Sequence, residues 1–322
     1  MRVLVTGADG FVGKHLCRHL RESGDEVIEA GGPRPEADPG GSKAGQGEGP
    51  SAGLALDITD GAAVRAAVEA ARPEGVIHLA GFSSVGKSYQ DPARVFSVNT
   101  VGTVSLLSAL RDLAPKARTL VISSAEVYGP VEVGTRAGED HPLRPLSPYA
   151  ASKAAAEIAS FQMHRSTGLP VVCARSFNHI GPGQHPSFVV PSFAAQLGAI
   201  RRGEAPPVVK VGDLSPIRDF SHVLDVVEAY RILLYQGAAG EAYNVCSGVP
   251  RTIRSLLDQL VAVSGVAARI EVDPSRVRPS ELPSLVGDAA KLQRLGWRPR
   301  RSVDGALEEI VDRLEARAAG EG

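Results

Sequence analysis

Short β-branched runs alternate with amphipathic stretches through the first half of this chain. Apolar residues dominate 2–6, 26–30, 53–57, 75–80, 119–124 and 170–176, and each run has the length and bounding turn residues of a strand. Between them, 11–23, 60–71, 92–113 and 148–167 read as helices. Strand and helix in strict alternation is the pattern of parallel strands joined by crossovers. The expected fold is therefore α/β, a Rossmann-type doubly wound parallel sheet.

Beyond residue 176 the rhythm breaks into Gly/Pro-punctuated pieces separated by helices at 189–202, 222–235, 253–263 and 303–318. Such a change of pattern suits a smaller C-terminal substrate-binding lobe. The apolar run 241–246 reads as a strand returning to the large sheet. We therefore expect residues 1–176 plus about 221–246 to form the dinucleotide-binding domain, and 177–220 plus 247–322 the second lobe. Residues 33–53 carry Gly, Pro, Ala and charges with almost no large apolar side chain, and are expected to form an inserted surface loop.

Composition narrows the classes. At 322 residues the chain can bury a substantial core without disulfides or metal. Its net charge of −1, with both signs interspersed, lacks the basic stripe a nucleic-acid surface needs. Cys17, Cys173 and Cys246 are far apart and without C-x-x-C or His spacing, so they are expected to be packed thiols. The chain opens directly on a strand, and no later segment reads as 18 consecutive apolar residues, so the expectation is a cytoplasmic protein without membrane contact.

Gly7-Ala8-Asp9-Gly10-Phe11-Val12-Gly13 follows the first strand and opens the first helix. Glycines there permit a tight turn and close approach to a pyrophosphate, with the helix N-terminus facing its charge. Gly7, Asp9, Gly10, Phe11, Val12 and Gly13 are thus candidate cofactor contacts. An acid ending the second strand would bind an adenosine ribose, whereas a nearby Arg suits a 2′-phosphate. Here Glu29 sits two residues early, Gly31 occupies the expected position, and Arg34 lies just beyond. That favours NADPH over NADH, with Arg34 as a solvated loop charge the competing reading.

Ser124 and Glu126 emerge at the carboxyl end of the fifth strand, where open α/β sheets place ligands. Ser124 could hydrogen-bond a substrate oxygen; Glu126 could take a carbon-bound proton or hold a sugar hydroxyl. Tyr149 and Lys153 stand four residues apart behind a Ser147-Pro148 helix start, hence on one face. A neighbouring ammonium is expected to lower the phenol from its usual pKa of about 10.

With these motifs in order, the chain resembles the extended short-chain dehydrogenase/reductase family, which acts on nucleotide-linked sugars. His78-Leu79-Ala80-Gly81, Ser97-Val98-Asn99-Thr100-Val101-Gly102-Thr103 and Leu56-Asp57-Ile58 are similar to its further signatures. The resemblance implies Ser124, Tyr149 and Lys153 as catalytic triad, and Asp57, Ile58, Leu79, Ala80 and Gly81 as cofactor contacts. Phe177-Asn178-His179-Ile180-Gly181-Pro182, Phe188-Val189-Val190-Pro191, Arg218-Asp219-Phe220 and Arg278-Pro279-Ser280-Glu281 resemble the branch that reduces GDP-4-dehydro-6-deoxy-D-mannose. That implies a GDP-linked sugar held by Ser84, Glu126, Asn178, Val189, Arg218, Arg278 and Glu281, and a homodimer formed through 92–113 and 148–167. Ala125 departs from the related 4,6-dehydratases, since it cannot protonate a departing hydroxyl. A dehydratase or C4 epimerase with tightly held cofactor, and a non-catalytic cofactor-sensing protein, are the alternatives.

Overall fold

The computed structural model describes residues 1–32, 53–277 and 282–318. Three of the candidate residues, Arg34, Arg278 and Glu281, lie outside the described residues, as does the expected loop 33–53 apart from Gly53.

The chain divides into two compact units. One comprises Met1–Val127, Ser147–Arg175 and Tyr230–Tyr243; the other Tyr128–Leu146, Ser176–Ala229 and Asn244–Gly322. Through the first half run β1 (Arg2–Thr6), α1 (Phe11–Glu22), β2 (Glu26–Gly31), β3 (Leu54–Ala55), α2 (Gly61–Ala71), β4 (Gly75–His78), α3 (Val85–Ser88), α4 (Pro92–Phe96), a π turn (Ser97–Val101), α5 (Gly102–Leu113), β5 (Arg118–Ser124), a 3-10 turn (Ala125–Tyr128), α6 (Pro148–Thr167) and β6 (Val171–Ser176). There follow β7 (Asn178–Ile180), α7 (Val189–Arg201), β8 (Val208–Val211), β9 (Ile217–His222), α8 (Val223–Gln236), β10 (Ala242–Val245), β11 (Pro250–Thr252), α9 (Ile253–Ser264), β12 (Arg269–Val272), β13 (Ser284–Leu285), α10 (Ala290–Gln293) and α11 (Val303–Ala318).

The large sheet has the order β10-β6-β5-β4-β1-β2-β3. β1 pairs in parallel with both β2 and β4, so the chain winds outward on one side of β1 and then restarts on the other. This is the doubly wound arrangement, and its switch point lies between β1 and β4. The run 241–246 joins this sheet, as expected, at the edge beside β6. The run 53–57 shortens to two strand residues because Asp57 leaves the ladder: its Oδ1 accepts the Thr59 N–H at 2.9 Å and hydroxyl at 2.7 Å, an Asx turn.

The stretch Pro92–Leu113 is long and apolar enough, by length and average composition alone, to cross a membrane, although it holds no 18 consecutive apolar residues. Interspersed Ser, Asn and Thr hid it from a count of unbroken apolar residues. Its Leu106, Leu107 and Leu110 are fully buried in a core shared with Val64 and Val68 of α2, Val76 of β4 and Val121 of β5. Burial on that scale stabilises by about 2 kcal/mol for each leucine and accounts for the apolar composition.

The second unit carries its own sheet, with β9 flanked by β11, β13 and β7, and a separate β8–β12 pair. Its core joins Phe193 and Leu197 of α7, Phe220 of β9, Leu256 and Leu260 of α9 and Leu307 of α11. All three cysteines are free and buried.

Candidate active site

The glycine-rich turn fits its place at the switch point so closely that side chains would not be accommodated. Gly7 adopts φ 72°, and a Cβ there would lie 2.7 Å from the Ala80 backbone nitrogen. A Cβ on Gly13 would approach the Gly7 carbonyl to 2.3 Å. The Gly7 and Ala8 N–H groups donate to the Ala30 carbonyl, at 2.7 and 3.2 Å, which ties the turn to β2. α1 then starts at Gly10 with no side-chain cap, leaving first-turn amides for a phosphate. These features fit the diphosphate of a dinucleotide. Ile58 packs where α5 comes closest, with its Cγ2 2.9 Å from the place of a Gly102 Cβ.

At the end of β4, Leu79 N–H donates to the Thr6 carbonyl at 3.1 Å, and Ala80 N–H to the Thr6 hydroxyl at 3.3 Å. His78 bridges Thr6 Oγ1 at 2.7 Å and Thr103 Oγ1 at 3.0 Å. Burial, reinforced by the Lys153 charge, pulls its imidazole down to a pKa of about 3, so it is a neutral strut.

α6 begins as its sequence dictates. Ser147 caps it by accepting the Ala150 N–H at 3.1 Å, Pro148 opens the first turn, and Gly168 ends it at φ 77°. Tyr149 is hydrogen-bonded to the Ser124 hydroxyl, which also accepts the Glu126 N–H at 3.3 Å. Lys153 Nζ donates to the Ile122 carbonyl at 2.8 Å. The chain thus brings Ser124, Glu126, Tyr149 and Lys153 together.

The expected lowering of the phenol is corrected. Burial pushes Tyr149 up to a pKa of about 12; the Ser124 hydrogen bond opposes the rise and the Glu126 charge adds to it. Lys153 does not offset this, because its ammonium is turned to the Ile122 carbonyl and burial draws its own pKa down to about 8.

Asn99, on the π turn, stood in a signature of the sequence but was given no role there. Its Oδ1 accepts the Phe82 N–H at 2.7 Å, and its Nδ2 donates to the Phe82 carbonyl at 3.2 Å and to Ser152 Oγ at 2.9 Å. Thr100 Oγ1 donates to the Ser152 carbonyl at 2.9 Å. Together they fasten the Tyr149-bearing turn of α6 to the segment after β4. Gly81 makes this possible, since a Cβ there would lie 3.0 Å from Asn99 Oδ1 and 3.3 Å from Lys153 Nζ. The place of Asn99 in the 97–103 signature was the available signal. Ser84 caps α3 by accepting the Lys87 N–H at 3.3 Å.

In the second unit, Asn178 is exposed on β7 opposite Phe220, and Val189 opens α7. Arg218 is buried, with Nη1 donating to the Ile217 carbonyl at 3.0 Å and the Leu282 carbonyl at 2.7 Å. Next to it, the fully buried Asp219 carboxylate accepts four hydrogen bonds. Oδ1 takes Ser247 N–H at 2.8 Å and Ser247 Oγ–H at 2.6 Å; Oδ2 takes Gly248 N–H at 2.8 Å and Gly287 N–H at 3.2 Å. Asp219 was the second residue that the sequence motifs included without a role. His179, which the sequence left outside the catalytic set, places Nδ1 3.1 Å from the Phe177 carbonyl.

A doubly wound sheet with a glycine turn at its switch point is the dinucleotide-binding form of the Rossmann class, and similarity to solved and curated relatives makes this chain an NAD(P)-dependent oxidoreductase of it. The chain belongs to the GDP-mannose 4,6 dehydratase family of extended short-chain dehydrogenase/reductases, which matches residues 4–310. It is 41% identical over 251 residues to the GDP-6-deoxy-D-mannose reductase of Pseudomonas aeruginosa, covering 77% of this chain and 83% of that protein. The structure of RMD from Pseudomonas aeruginosa complexed with NADPH superposes with a TM-score of 0.84 at 34% identity, covering 98% of this chain and all of the other. The UDP-glucose 4-epimerase of Thermus thermophilus, solved with NAD, gives 0.85 at 33% identity over 98% of this chain and 99% of that one.

Proposed function

We propose that this protein reduces C4 of a GDP-linked 4-keto-6-deoxyhexose, with NADPH favoured over NADH. The observation that carries the reading is the Tyr149–Ser124 hydrogen bond, with Lys153 one turn along the same helix, beside the glycine turn. Similarity to the Pseudomonas aeruginosa reductase and to the NADPH-complexed RMD supports the sugar and the cofactor.

Gly7, Gly10, Phe11, Val12 and Gly13 hold the diphosphate, and Leu79, Ala80 and Gly81 line the approach to the nicotinamide. Bound NADPH supplies the hydride that reduces the C4 carbonyl carbon. Tyr149 carries the proton that the resulting alkoxide requires. A phenol raised to about 12 is fully protonated at neutral pH, the form a donor needs. Ser124 orients O4 and stabilises the tyrosinate left behind, and the Lys153 ammonium would hold the nicotinamide ribose. In the second unit Asn178, Val189 and Arg218, joined by Arg278 and Glu281, hold the nucleotide diphosphate and nucleoside, guanidinium forks being suited to phosphate.

The functional unit is a homodimer in the cytoplasm. Phe96, Val101, Val104 and Ile158 leave large apolar side chains exposed on 92–113 and 148–167, and pairing those helices covers them. Sedimentation of the wild type against Val101→Glu/Ile158→Glu checks it, with a shift to monomer expected.

Glu126 supports a second reading, a 4,6-dehydratase or epimerase that returns the hydride, because its charge acts on Tyr149. Cofactor-free protein given a GDP-4-keto-6-deoxyhexose separates them. Stoichiometric loss of NADPH absorbance is expected of the reductase. Turnover of an unreduced sugar nucleotide without net cofactor loss would favour the second reading instead.

A further inference from the structure

Strand β2 ends without a side chain, and the space beside its last residue is already filled. A Cβ placed on Gly31 would lie 3.1 Å from Cγ and 3.3 Å from Oδ1 of Asp9, the acid of the glycine-rich turn. The strand's own acid is engaged elsewhere, since Arg21 Nη2 lies 2.5 Å from Glu29 Oε1. Asp57 spends its Oδ1 on Thr59. Asp9 differs from both: it is exposed and makes no hydrogen bond or ion pair among the described residues. Nor does it act on α1 as a cap, which begins at Gly10 without a side-chain bond.

The carboxyl end of the second strand is where a doubly wound sheet reads the adenosine ribose of a dinucleotide. We infer that Asp9 is the residue that reads this ribose here, its carboxylate supplied from the loop instead of the strand. Two carboxylate oxygens accept hydrogen bonds from a vicinal diol, and the same charge opposes a 2′-phosphate. Asp9 therefore narrows the preference for NADPH and keeps NADH a usable ligand. Gly31 is its structural counterpart, because a side chain there would displace the Asp9 carboxylate. The inference rests on the dinucleotide site proposed above and assigns the side chain that sets its selectivity.

Fluorescence titration of the purified protein with NADPH and NADH tests it, with competition by ADP-ribose and 2′-phospho-ADP-ribose to isolate the adenosine end. Asp9→Asn should tighten NADPH about five- to tenfold, the size of one charge contact at a solvated rim, and weaken NADH. Asp9→Ser, measured in parallel, should move the ratio in the same direction. In Asp9→Gly/Gly31→Asp, the carboxylate returns to the strand and the wild-type ratio should be recovered. Wild type that binds either dinucleotide, with a ratio unchanged in Asp9→Asn and Asp9→Ser, overturns the inference and leaves the reductase reading standing. Wild type that binds neither overturns both.

Discussion

The groups at the start of α6 and those around Asp219 are both held by buried hydrogen bonds, yet they are assembled over very different chain distances. Tyr149 and Lys153 are one helical turn apart, and a capped helix places both on one face before any tertiary contact forms. Asp219 instead collects Ser247, Gly248 and Gly287 across 28, 29 and 68 positions. The first cluster is set by a local rule and is exposed enough to meet a substrate. The second exists only once the second unit has folded, and its product is the placement of Arg218 rather than chemistry of its own.

The largest test of this contrast removes one oxygen from the first cluster. Tyr149→Phe should lower kcat about a thousandfold, in the range for loss of a general acid, because the substituted ring has no proton to give at the place of the phenol held by Ser124. NADPH binding and thermal stability should stay near wild type. A variant that lost cofactor affinity equally would show that the phenol is structural, as Asp219 is.

Asp219→Asn inverts the pattern. An amide nitrogen would face two of the four donors now bonded to the carboxylate, at about 1–3 kcal/mol for each orphaned group. A loss of about 3 kcal/mol in urea unfolding is expected, with a rise in KM for the sugar nucleotide larger than any fall in kcat. An unchanged unfolding midpoint would break the comparison.

What could be read beforehand follows the same division. Gly7, Gly13, Tyr149 and Lys153 were legible because turn geometry and helical spacing act over a few residues. The strands of the parallel sheet were legible because buried strands are continuous apolar runs. The π turn at Ser97–Val101 was not: it interrupts an expected single helix, and Asn99 and Thr103 show why only when Phe82 and Ser152 are beside them. Short strands such as β7, β11 and β13 escaped for the same reason, each having three residues or fewer and a partner distant in sequence. The lowering of Tyr149 failed for a different reason, since spacing reported the ammonium and could not report burial or the pull of the Ile122 carbonyl.

Lys153 gives a smaller, pH-dependent test on the local side. Its folded pKa is drawn down to about 8, so the ammonium is present below that value and lost as pH rises through it. kcat/KM should fall about tenfold per pH unit above pH 8. The residual activity of Lys153→Arg, whose charge persists, should lose that limb. A limb that remained in Lys153→Arg would belong to another group.

His78 asks whether long-range assembly, rather than membership of the second unit, is what makes a cluster structural. It lies in the first unit but joins Thr6 and Thr103, 72 and 25 positions away. Its folded pKa of about 3 is below the ordinary value of 6.5, so the unfolded chain binds a proton that the folded chain refuses. The contribution is complete above pH 6.5 and is lost progressively as pH falls toward 3. Between pH 6 and pH 5 this group should cost about 1 kcal/mol of unfolding free energy. His78→Gln, which keeps a donor and an acceptor but does not titrate, should flatten the stability profile in that window while leaving the pH dependence of kcat/KM above pH 7 unchanged. Equal slopes in the two proteins would assign the acid sensitivity elsewhere and remove His78 from the structural side of the comparison.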